Sequence, residues 1–232
     1  ENIKSIENQV SKLNRELPEL FANRRELFRL IKRMLNKNKF YRSGYIHIQL
    51  FWFNTEIHSV ISSEAFSAFN FPYAQKGILL TFSNQRKTAS NLFNPFAFYN
   101  QNIWEAAQAE IRNSPYQNAV ILNEKNEVCE CSFANLFMIK GNKLLTPSLK
   151  SGCFNDILRP EILNNAKETG FTVVDSNQIK KEELKEMDEI FLASEEKGIQ
   201  WVLGLGNKRF LHQMTDKIHE KTNNCLRKKA ET

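Results

Sequence analysis

The chain has 232 residues, 41% of them hydrophobic and 25% charged, enough to bury a core within one large or two small domains. No run of about 18 apolar residues occurs, and the opening ENIKSIENQV lacks a basic stretch followed by an apolar one; this argues against a membrane span or secretory leader and for a cytoplasmic protein. The formal net charge of +6 comes from Lys and Arg dispersed among Asp and Glu, which reads as a solvated surface rather than a nucleic-acid-binding stripe.

In chain order, residues 1–39 carry helical periodicity. Ile6, Val10, Leu13 and Leu17, then Leu27, Leu30, Ile31 and Met34, recur at three and four, with Pro18 separating two helices. From Tyr45 to Phe53 the pattern changes to alternation, and a second strand pattern follows over 77–82. The cluster Phe51-Trp52-Phe53 suits a buried strand better than a platform for stacking bases. A helix fits 101–112, where Ile103, Trp104, Ala107 and Ile111 form a stripe ahead of the breaker Asn113-Ser114-Pro115.

Short strands are then expected at 118–123, 134–140 and 143–146, a helix at 157–169 ended by Gly170, and a strand at 171–175. A helix at 180–186, strands at 188–193 and 199–203, and a terminal helix over 208–228 complete the order. This mixture argues for an α+β fold in two layers or domains, divided as 1–90 and 91–232, rather than a doubly wound parallel sheet. Cys129, Cys131, Cys153 and Cys225 lack zinc-site spacing and read as free thiols. His212 and His219, seven apart on the last helix, read as surface or packing groups.

One long stretch carries a more specific signal. Glu127-Val128-Cys129-Glu130-Cys131-Ser132-Phe133-Ala134-Asn135-Leu136-Phe137 is followed by Leu144-Leu145-Thr146-Pro147-Ser148-Leu149, then Gly152 and Arg159. Later come Glu189-Ile190-Phe191-Leu192 and Gly198-Ile199-Gln200-Trp201-Val202. These four ordered blocks resemble the signature of the class IV aminotransferases, and the last is most similar to the aminodeoxychorismate lyase-like branch. The resemblance implies the family's two-domain α+β fold, a homodimer, pyridoxal phosphate as cofactor, and a small amino-acid-like substrate or aminodeoxychorismate. It implies Glu130 as the carboxylate on the pyridinium nitrogen. It also implies cofactor contacts from Ile157, Leu158, Arg159 and Ser194, with the phosphate at the start of the helix near Ile157.

Several positions depart from the family pattern. The Schiff-base lysine counts back from Glu130 to Ala97–Asn100, in Asn94-Pro95-Phe96-Ala97-Phe98-Tyr99-Asn100-Gln101, where there is no lysine. Lys87 is the nearest upstream candidate and reaches the site only through an insertion. Asp156 replaces a glycine at the phosphate position, where it can cap the helix but its carboxylate repels a phosphate. Glu195 and Glu196 add charge in the later loop, and the family's first strands are missing from the beginning of the sequence. Two readings follow: an enzyme of this family, or a cofactor-free relative with a binding or assembly role.

Overall fold

The computed structural model describes residues 2–41, 44–54, 56–65, 71–176 and 178–231. The chain divides into two compact units, Glu1–Asn70 and Phe71–Thr232.

In the first unit, three helices, α1 (Asn2–Lys12), α2 (Glu19–Ala22) and α3 (Arg24–Lys37), precede a ribbon of β1 (Gly44–Phe53) and β2 (Glu56–Ala65). Pro18 stands just before α2, where its missing N–H costs nothing, and the Asn23 side chain caps α3 by accepting from Glu26 N at 3.2 Å. The ribbon is antiparallel, from Gly44 opposite Ala65 to Phe53 opposite Glu56. Sequence patterning missed β2, whose EIHSVISSEA is mostly polar. The expectation that Phe51-Trp52-Phe53 is buried is also wrong: these side chains are 50, 45 and 68% exposed.

The second unit runs β3 (Ile78–Lys87), α4 (Ala97–Ile111), β4 (Asn118–Asn123), β5 (Val128–Cys131), β6 (Asn135–Lys140), β7 (Lys143–Pro147), α5 (Leu158–Glu168), β8 (Thr172–Ser176), β9 (Glu189–Ser194), β10 (Gly198–Leu205), β11 (Lys208–Arg209) and α6 (Gln213–Glu231). Its strands form one mixed sheet in the order β5-β4-β3-β10-β9-β6-β7-β8, with β11 paired to β10. The fold class is α+β. The division between units falls at Asn70 and Phe71, ahead of the boundary expected near residue 90, because β3 pairs in parallel with both β4 and β10. The helix expected over 180–186 is a short 3-10 turn, Glu183–Glu186, and α6 starts only at Gln213 because residues 208–209 are drawn onto β10.

The central strands are apolar on both faces, as strands covered on both sides must be. β6 and β9 pair with Phe137 opposite Phe191, their rings stacked at 4.9 Å and fully buried. Each buried phenylalanine contributes about 1.5–3 kcal/mol. Gly198 opens β10 at φ +66°, and a Cβ there would lie 2.0 Å from the Pro72 carbonyl, so only glycine lets residue 72 approach. His219 bonds the Phe71 carbonyl at 2.9 Å, and His212 stacks on Trp201 at 4.1 Å while pairing with Asp216.

Candidate functional site

Lys87 ends β3 opposite Asn123 of β4, and Glu130 lies on β5 opposite Ile121 of the same strand. β4 therefore holds the two side chains on its two flanks. Lys87 Nζ donates to Glu130 Oε1 at 2.9 Å, with both side chains essentially inaccessible. The Trp104 indole N–H donates to the same oxygen at 2.7 Å, and the Phe154 backbone N–H donates to Oε2. Burying a carboxyl group is costly unless partners replace the water it loses, and these three do so. Trp104 comes from the buried face of α4 and is clasped between Phe133 and Phe154, each with its ring centre 5.0 Å away. Phe133 sits in a left-handed turn, φ +60°, between β5 and β6.

Between Lys87 and α4 the chain is tied down rather than loose. Ala89 N donates to Glu124, and Asn94 Nδ2 donates to the Thr88 carbonyl at 2.7 Å. The run where family spacing predicts a lysine is structural. Phe96 is buried at the start of α4, and Asn100 donates to the carbonyls of Asn94 and Phe96.

From Glu130 the network continues toward α5. Asn135 donates to the Phe154 carbonyl at 2.6 Å and accepts from Asp156 N at 3.2 Å, fixing segment 153–156. The Asp156 carboxylate then accepts from Leu158 N at 2.8 Å and from Glu195 N at 3.4 Å. It lies one residue before the assigned cap of α5 and does the capping itself. Burial, and secondarily Glu195, push its carboxyl up to about 7.

Among the other expected site residues, Ile157 and Leu158 open α5 as anticipated, but the Leu158 amide is already taken by Asp156. Arg159 is buried, with Nη2 on the Pro147 carbonyl at 2.9 Å and Asp175 at 3.1 Å, and its Nε has no partner. Ser194 Oγ accepts from Lys197 N at 3.2 Å and closes the turn between β9 and β10. Lys87 and Glu130 are thus brought into contact, whereas Arg159 and Ser194 bond other groups. Trp104 was visible in sequence only as part of a helical stripe, and Asn135 only as a motif letter. No local spacing could pair either one with its partner.

These elements define a class IV aminotransferase fold. The class IV amino-transferase family pattern matches residues 12–203, and the chain belongs to that family. A probable branched-chain-amino-acid aminotransferase of Thermotoga maritima is 30% identical over 148 residues, covering 64% of this chain and 54% of that protein. The aminodeoxychorismate lyase of Vibrio harveyi is 27% identical over 145 residues, covering 62% and 53%. The chain thus matches about half the length of these relatives. The branched-chain amino acid aminotransferase of Thermobaculum terrenum, solved in its PLP form, superposes with a TM-score of 0.80 at 18% identity, covering 96% of this chain and 76% of that one.

Proposed function

We propose that this chain carries out class IV aminotransferase or aminodeoxychorismate lyase-type amine chemistry on a small amino-acid-like substrate, with Lys87 as the reacting amine and Glu130 as its carboxylate partner. The observation that carries this reading is the buried Lys87–Glu130 pair, set in a family-matched fold. A lysine ammonium is no nucleophile until it loses a proton, and Glu130 Oε1 at 2.9 Å is placed to take it. Trp104 and the Phe154 amide keep that oxygen pair oriented. A cytoplasmic location and a homodimer belong to the same proposal. They are supported by the free cysteines and by the family; among the described residues no helix is long and apolar enough to cross a membrane.

The family's cofactor is pyridoxal phosphate, an electron sink for carbanions, and the residues present fit it at one end only. The Lys87 amine suits its aldehyde, whereas Glu130, held on that same amine, is not free to meet the pyridine nitrogen across the ring. At the phosphate end the Asp156 carboxylate already accepts from Leu158 N and Glu195 N, so the residues do not fit a phosphate there. The second reading is a cofactor-free relative with a binding or assembly role; the relatives, named as aminotransferases and a lyase, do not favour it. Reduction with borohydride in the presence of pyridoxal or pyridoxal phosphate, followed by peptide mapping, separates the two. A reduced adduct on Lys87 supports the amine reading. Unmodified Lys87 with both aldehydes overturns it and leaves the cofactor-free one.

A further inference from the structure

We propose that Asp156 is a specificity residue that makes this end of the site reject phosphate esters and accept a ligand bearing a neutral hydrogen-bond donor there, such as the hydroxymethyl group of unphosphorylated pyridoxal. The proposal rests on the functional reading above for the position of the site. Its own ground is the occupancy of the backbone donors. Asp156 is 5% exposed, and its two oxygens take the N–H groups of Leu158 at the start of α5 and of Glu195 on the facing turn. Its backbone is pinned in turn, since its own N–H donates to Asn135 Oδ1 at 3.2 Å. The anion that a helix start attracts is therefore supplied by the chain.

A ligand phosphate arriving there meets an occupied set of donors and a like charge. At about 4 Å and an effective dielectric near 20, each such charge pair weakens binding by on the order of a thousandfold. Glu195 acts on Asp156 in the same unfavourable direction. Arg159 on the first turn of α5 offers little relief, because its guanidinium is already held by Asp175 and Pro147. Its buried Nε has no partner. A hydroxyl can donate to a carboxylate, which a phosphate dianion, having no O–H, cannot do. Since the Asp156 carboxyl titrates at about 7, rejection of phosphate is strongest above that pH and relaxes below it.

The test is a calorimetric titration of wild type, Asp156→Asn and Asp156→Gly with pyridoxal and with pyridoxal phosphate at pH 5.5 and 8.5. Asparagine keeps an acceptor for Leu158 N, so this variant retains the helix cap. Wild type is expected to prefer pyridoxal by a hundredfold or more at pH 8.5 and by much less at pH 5.5. Both variants are expected to shift toward the phosphate ester and to lose the pH dependence. Preference of the wild type for pyridoxal phosphate at pH 8.5, an unchanged ratio in Asp156→Asn, or binding of neither ligand by any of the proteins overturns the proposal. Loss of the Lys87 adduct with the ratios intact would sink the amine reading and leave this one standing.

Discussion

The two ends of the site handle buried charge in opposite ways. At one end Glu130 faces a lysine, an indole N–H and a backbone N–H, so the buried carboxylate is matched by a cation and two neutral donors. At the other, Asp156 receives two backbone N–H groups but faces Glu195, and its carboxyl rises toward neutrality. Depth of burial is similar in both. What differs is whether a cation comes with the carboxylate: Lys87 contacts Glu130, whereas Asp156 has only neutral donors and a neighbouring carboxylate.

The largest effect is expected from breaking the compensated end. Lys87→Met leaves Glu130 buried without its cation and should lower unfolding free energy by about 3–5 kcal/mol, read from denaturant midpoints. Adding Glu130→Gln to that variant should restore part of the loss. A double variant as unstable as the single one would mean that the pair is not coupled. At the uncompensated end, the folded protein favours the neutral carboxyl over its ordinary value of 3.8. Stability from Asp156 is therefore fully present below about pH 4 and is lost as pH rises through 7. Asp156→Asn should gain on wild type by a few kcal/mol between those pH values in parallel melts. Equal pH profiles for the two proteins would contradict the raised pKa.

A smaller change concerns the indole. Trp104→Phe keeps a ring between Phe133 and Phe154 but deletes a donor to Glu130, for an expected loss of about 1–3 kcal/mol by chemical denaturation. The least perturbing measurement is thiol titration of the native protein. Burial raises the thiol of Cys153 to about 12 and those of Cys129 and Cys131 well above the usual range, whereas Cys225 is half-buried. Cys225 should react with an aromatic disulfide first, and the other three only on unfolding.

Much of this second unit can be read from the sequence, because strands such as 118–123 and 188–193 are short apolar runs bounded by turn residues. Their type does not depend on distant partners. β2 escaped because its alternation is built from Ser, Glu and His, and only its partner strand makes EIHSVISSEA a strand. Within the site, Glu130 stood out through its motif. Lys87 and Glu130 stand 43 positions apart in sequence, and family spacing points instead to Ala97–Asn100. The anchored segment after Thr88, held by Asn94 and Glu124, is what absorbs that difference. Asp156 was legible as a cap and as a repulsive charge, but its second donor, Glu195 N, lies on another strand turn.

The pairing of β3 with β10 also sets an order of events during synthesis. β3 can pair with β4 soon after both emerge, but its other edge waits until Gly198–Leu205 has left the ribosome. Until then a strand ending in Lys87 presents open N–H and C=O groups, and closing it requires a loop spanning more than half the chain. The nascent protein is thus most exposed to mispairing and chaperone capture just before β10 appears. Ribosome-stalled chains ending before Gly198 should be markedly more protease-sensitive at β3 than chains stalled after α6.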